Sequence, residues 1–113
     1  MDIQYSGDST SAEAVDNVFL TQLIAGDAMS VQHFRIEPGA VVPEHSHPHE
    51  QVGYLLQGEL TFITDDGEHV VQTGDSYALA GDETHAAENR GDETVVGIDV
   101  FSPPRVNPDW QDD

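Results

Sequence analysis

The sequence predicts an all-β fold, a sandwich or small barrel of antiparallel strands. Apolar and polar residues alternate over short runs, turn residues interrupt those runs about every 6 to 12 positions, and no stretch has the apolar spacing of a long amphipathic helix. A length of 113 residues fits one compact domain with a single core.

Taken in order, residues 1–16 are small and polar and read as an irregular arm. An apolar run at 17–24 reads as a strand closed by Gly26-Asp27, and 29–37 alternates as a second strand up to the turn signal Pro38-Gly39. Residues 40–44 lead into His45-Ser46-His47-Pro48-His49-Glu50-Gln51. Pro48 has no amide donor, so that segment is irregular or sits at a sheet edge. A strand over 51–56 ends at Gln57-Gly58. Strands at 59–64 and 68–72 flank Asp65-Asp66-Gly67, a strong hairpin signal. Short strands at 76–80 and 84–89 surround Gly81-Asp82, and 93–101 is the longest strand. Pro103, Pro104 and Pro108 make the tail irregular. The expected organisation is an arm over 1–16, a β-barrel over 17–102 and a tail over 103–113 packing on or near the barrel.

Charge narrows the function classes. Three arginines stand against 22 acids, a net charge of −19, and lysine is absent. Such a chain repels phosphate backbones, which argues against nucleic-acid binding. At low salt it also repels itself, whereas molar salt shortens the Debye length to ~3 Å and screens that repulsion. The composition therefore points to a high-salt cytoplasm. There is no basic segment followed by an apolar run at the N-terminus and no run long enough to span a bilayer, so a cytoplasmic protein without membrane partners is expected. Cysteine is absent, which excludes disulfides, thiolate metal sites and cysteine nucleophiles.

The histidine stretch carries the chemistry. In an extended chain alternate residues face one side, so His45, His47 and Gln51 can point into one cavity. Neutral imidazole is the commonest protein metal ligand. Gly39, five residues, His45-Ser46-His47, three residues, Gln51, six residues and Gly58 form one segment; Gly74, ten residues, His85, three residues and Asn89 form another. Together they resemble the two motifs of the cupin superfamily. That resemblance implies a jelly-roll antiparallel β-barrel and one divalent metal ion, Zn, Ni, Mn or Fe, held by His45, His47, Gln51 and His85. Glutamate is usual where Gln51 stands, and proline and glycine where Ala80 and Asp82 stand. A neutral amide leaves the site more positive and the metal a stronger Lewis acid. His49 reads as a rim residue, His33 and His69 as ordinary strand residues.

The second informative stretch is Val95 to Arg105. Val96, Ile98 and Val100 share one face and are expected between the sheets, with Gly97, Asp99 and Phe101 on the other. An aspartate in so apolar a strand needs a partner or a task. Facing a metal cavity, Asp99 has a general acid–base role, Phe101 forms an apolar wall and Arg105 holds a substrate carboxylate. The competing reading is a structural Asp99–Arg105 ion pair. His-Ser-His-Pro-His-Glu-Gln with Asp-Val-Phe-Ser-Pro-Pro-Arg is similar to the small cupins of pectin and alginate breakdown, whose metal is held by three histidines and a glutamine. This narrower resemblance implies conversion of a 4,5-unsaturated uronate into a linear ketonised sugar, with Asp99, Phe101 and Arg105 as the catalytic set and Gly53 and Gly97 leaving room beside the metal. An iron-dependent dioxygenase and a non-catalytic binding module are the alternatives. A homodimer is expected, because the strand at 17–24 precedes the motifs and such strands often exchange between cupin subunits.

Overall fold

A computed structural model describes residues 1–105. After a 3₁₀ turn at Ser6–Asp8 come ten strands: β1 (Ser11–Val15), β2 (Val18–Ala25), β3 (Ser30–Ile36), β4 (Val41–His45), β5 (Glu50–Gln57), β6 (Glu59–Thr64), β7 (Gly67–Gln72), β8 (Ser76–Leu79), β9 (His85–Glu88) and β10 (Val95–Ser102). They form two antiparallel sheets, one ordered β1-β2-β3-β10-β5-β8 and the other β4-β9-β6-β7. The sheets face each other as a jelly roll, and the all-β expectation holds. Strand β1 lies inside the segment expected as an irregular arm, paired to β2 from Ser11–Thr21 to Val15–Val18. Of the expected tail, Pro103 to Arg105 are described, and the Arg105 amide donates to Ser30 Oγ at 2.8 Å. Pro108 lies outside the described residues.

The core lies between the sheets. Val18, Phe34, Ile36, Leu55, Leu60 and Val95 are all buried, each contributing about 1.5–3 kcal/mol of apolar burial. Strand β10 departs from expectation. Its inner face is Val95, Gly97, Asp99 and Phe101, whereas Val96, Ile98 and Val100 face outward and are half-buried. The apolar stripe is thus on the outside of the sheet and the mixed stripe lines the interior. Gly97 allows this, although its space serves the core: a Cβ there would stand 2.3 Å from Phe34 Cζ.

The histidine stretch does not form one continuous strand. His45 ends β4 in the four-stranded sheet and Gln51 is near the start of β5 in the six-stranded sheet, with His47 and Pro48 in the link between them. Asp82 replaces the glycine usual in cupins yet adopts a left-handed φ of 65°, which aspartate tolerates. Its amide donates to the His47 carbonyl at 2.7 Å, tying the β8–β9 loop to the histidine link.

Candidate metal centre

His45 and His85 are cross-strand partners in the β4–β9 ladder, with ring centroids 4.4 Å apart. The link after β4 carries His47 against them, 5.3 Å from the His85 ring. One ring nitrogen from each of the three histidines lies within 4.8 Å of the others. Gln51 joins from the opposite sheet, its Oε1 3.1 Å from His47 Nε2.

The backbone fixes the tautomers. Nδ1 of His45 faces the Pro43 carbonyl at 2.9 Å, that of His47 faces the His49 carbonyl at 3.1 Å, and that of His85 faces the Glu83 carbonyl at 2.8 Å. Carbonyl oxygens only accept, so each Nδ1 carries the proton and each Nε2 keeps its lone pair for a ligand. Burial, with Arg105 and His85 nearby, lowers His47 to a pKa of about 4. Burial also lowers His85. Both rings are neutral at pH 7, as metal ligation requires.

The donor set fits a divalent cation, and His47 supplies the test. A neutral imidazole has one N–H, yet both His47 nitrogens face oxygens that have no proton to give: the His49 carbonyl and Gln51 Oε1. One of the two contacts sets lone pair against lone pair. Protonating the ring would relieve it, but its lowered pKa opposes that. A cation among the three Nε2 atoms and Gln51 Oε1 relieves it directly.

Asp99 lies behind this cluster. It is 5 % exposed and, among the described residues, the only buried carboxylate. Tyr77 Oη donates to Asp99 Oδ1 at 2.5 Å, and the Gln51 carboxamide beside Asp99 also favours its ionised form. Burial pushes Asp99 up to about pH 6, against the pull of Tyr77, Gln51 and Arg105. Burial, together with the Asp99 charge, raises Tyr77 far above its ordinary value, so it stays a hydrogen-bond donor. Phe101 is buried edge-on to His47 and His49, and the Arg105 guanidinium stacks over it with Cζ 5.1 Å from the ring centroid.

These groups open on a cavity of about 410 Å³ between the sheets, within the range of small-molecule sites. Its polar end holds His45, His85, Gln51, Asp99 and Arg105; the rest of the lining is mostly apolar, Val18, Leu20, Ile36, Leu60 and Phe62 among it, with Glu44 also present. His49 packs beside Phe101 and does not line the cavity. His33 sits in the β3 ladder between Thr21 and Ile98, and His69 Nε2 contacts Thr64 Oγ1 at 3.3 Å.

Gln32 and Tyr77 line the same cavity but escape a sequence reading. Gln32 carried a signal, because it shares the inward face of β3 with Phe34 and Ile36, where a polar side chain needs a reason. Tyr77 gave none: an aromatic in a strand reads as core until its hydroxyl is found on Asp99.

The Cupin domain family model matches residues 32–101. The pectin degradation protein KdgF of Dickeya dadantii (strain 3937) is 30% identical over 70 residues, 61% of this chain and 63% of that protein, so the match spans less than two thirds of the relative. Among solved structures, KdgF from Halomonas sp. superposes with a TM-score of 0.83 at 19% identity, covering 95% of this chain and 97% of that one. An RmlC-like cupin from Shewanella frigidimarina gives 0.82 at 22% identity with 95% of each chain covered. The polyketide cyclase RemF from Streptomyces resistomycificus gives 0.78 at 19% identity, covering 90% and 79%. At these identities the structural likenesses speak to fold alone.

Proposed function

The chain belongs to the cupin family, and on that premise we propose that it is a metal-dependent enzyme that converts a 4,5-unsaturated uronate into its linear ketonised form. The observation that carries the reading is a cluster of three histidines, two of which (His45 and His85) line one cavity together with a carboxamide, a buried carboxyl and an arginine. The substrate class is supported by likeness to a protein named for pectin degradation.

His45, His47, His85 and Gln51 would hold one divalent ion, Zn, Ni, Mn or Fe, which would supply Lewis acidity toward substrate oxygens. Arg105 binds the substrate carboxylate, and its stacking on Phe101 fixes the direction of the guanidinium. Asp99 moves the proton. It accepts the anomeric hydroxyl proton as the ring C–O bond opens, and a proton is delivered to the alkene carbon as the enol becomes the ketone. The reaction is an isomerisation in which no atom is gained or lost. With a pKa near 6, one carboxyl can both take and return a proton close to neutrality. The apolar residues on the cavity wall leave the metal end as the main polar surface for a substrate to bind.

The test is the ultraviolet absorbance of the unsaturated uronate, followed with metal-loaded protein in molar salt. Loss of absorbance proportional to protein is expected; no loss would sink the assignment. Activity confined to iron and dioxygen would instead indicate a dioxygenase.

We place the protein in a high-salt cytoplasm, where screening lets so acidic a molecule capture an anion. Among the described residues, no helix is long and apolar enough to cross a membrane. We also propose a homodimer, through the outer face of the six-stranded sheet. The cross-strand rows Val31–Val100–Val52 and His33–Ile98–Tyr54 carry no carboxylate, so two copies can meet there without opposing like charges. Light scattering in high salt should give twice the chain mass for the wild type and the chain mass for Val52→Glu; a monomeric wild type contradicts the proposal.

A further inference from the structure

We propose that Tyr77 is a positioning residue for the metal centre: its hydroxyl fixes Asp99, and Asp99 in turn decides which end of the Gln51 carboxamide faces the histidines. This rests on the reading of His45, His47, His85 and Gln51 as a metal site.

A carboxamide has two ends of nearly equal size and opposite chemistry. The oxygen can ligate a cation, whereas the NH₂ group points hydrogens at it. Rotating the amide by half a turn exchanges the ends with little change in shape, so packing alone does not choose between them. Glutamate, usual at this position in cupins, has two equivalent oxygens and no such problem. A chain with glutamine there needs a device that holds the amide one way round.

Asp99 is that device. An ionised carboxylate only accepts, so with Asp99 beside it the Gln51 amide is favoured with its NH₂ end toward Asp99 and Oε1 toward His47 Nε2, 3.1 Å away. For this to work the Asp99 carboxylate must itself be held, and Tyr77 holds it from the other side. The contact is built into the sheet. Gly53 on β5 is the ladder partner of Asp99 on β10 and of Tyr77 on β8. The Tyr77–Asp99 hydrogen bond bridges over that glycine, where a Cβ would come within 2.2 Å of Tyr77 Cζ and 2.4 Å of Asp99 Oδ1. Two strands therefore reach across a third through a gap that only glycine leaves.

Tyr77→Phe keeps the ring and removes the hydroxyl. Residues that orient metal ligands typically alter affinity 10- to 100-fold, and the Zn²⁺ affinity of Tyr77→Phe, measured by competition with a chromogenic chelator, should weaken by about that factor. A role confined to folding would lower the melting temperature of the metal-free protein without changing Zn²⁺ affinity in the folded state. Gln51→Glu supplies the second arm. With equivalent ligand oxygens the orientation is moot, so adding Tyr77→Phe to Gln51→Glu should change affinity by less than about threefold, far short of its effect on the wild type. Wild-type protein that binds Zn²⁺ while Tyr77→Phe binds it equally well overturns this inference alone. An equal loss in both backgrounds also overturns it. Failure of the wild type to bind Zn²⁺ at one equivalent overturns the metal-site reading and this inference together.

Discussion

Gly53 faces Asp99 directly across the β5–β10 ladder, and the volume a methyl group would occupy on Gly53 is filled by the hydrogen bond from Tyr77 to that aspartate. A glycine in a central strand normally weakens it. Here the missing side chain is the channel through which β8 reaches β10.

Gly53→Ala should therefore act on stability and site together. Overpacking costs about 1–3 kcal/mol, and the least constrained response is for Tyr77 to swing away from Asp99. A lower melting temperature and a weaker Zn²⁺ affinity are expected together. A stability loss with unchanged affinity would mean that the bridge does not matter to the metal centre.

Arg105→Met keeps an unbranched chain over Phe101 and removes the charge. A hydrogen bond to a charged group is worth about 1.5–3 kcal/mol, equivalent to roughly 10- to 100-fold in binding. Steady-state kinetics on a carboxylated substrate should show KM raised by about that factor with a smaller change in kcat, because the carboxylate is held alike before and during reaction. A change confined to kcat would give Arg105 a different role.

Acidity should separate Asp99 from the histidines in the metal-free protein. His47 is lowered from 6.5 to about 4, so below pH 6.5 the unfolded chain takes the proton first and stability is lost as pH falls through that window. His85 acts in the same direction. Asp99 is raised from 3.8 to about 6, so its contribution is full below about pH 3.8 and is lost as pH rises through 6. The two effects oppose each other in the wild type. Asp99→Asn should leave the histidines unopposed, and its denaturation midpoint should fall more steeply from pH 6.5 to 4. Parallel profiles for the two proteins would contradict the assignment.

Asn89, at the end of the second motif, is 1 % exposed and holds three segments together. Its Nδ2 donates at 2.9 Å to the Ile36 and Glu93 carbonyls, and its Oδ1 accepts from the Gly91 amide at 3.1 Å. Asn89→Leu removes all three bonds, at about 0.5–1.5 kcal/mol each, and takes the partner from the buried Ile36 carbonyl. A loss of roughly 2–4 kcal/mol in urea unfolding, at unchanged slope, is expected; a loss below 1 kcal/mol would show that the loop holds without it.

Salt is the remaining lever. Apart from Asp99, every described carboxylate is exposed or half-exposed. Their repulsion acts over ~10 Å at 0.1 M salt and ~3 Å at 1 M. The melting temperature should rise steadily between those concentrations of KCl. A melting temperature indifferent to salt would remove the reason for reading this surface as a high-salt adaptation.

Most of the strands, β1 and β4 excepted, and the grouping of the histidines were legible because each depends on local chemistry. Turn residues at Pro38-Gly39, Asp65-Asp66-Gly67 and Gly74-Asp75 stop strands wherever they occur, and period-two patterning needs only the neighbouring residues. The spacing of His45, His47, Gln51 and His85 marked them as a group. The manner of their meeting was not legible: alternation along one strand suggested a shared face, whereas the side chains converge because the chain crosses between sheets after His45.

Strand β10 marks the boundary most clearly. Val96, Ile98 and Val100 form the more apolar face, and local pattern sends that face inward. The fold sends it outward, because Asp99 finds Tyr77 and Gln51 inside, Gly97 makes room for Phe34, and Phe101 packs on His47. Which face of a strand is buried depends on the partners that other strands bring to it. The sequence by itself determined the kind of fold and which imidazoles belong together. Only the tertiary structure decided what Asp99 touches, why Gly53 is a glycine, and that Tyr77 belongs to the site, since each of those is a contact between strands far apart in the chain.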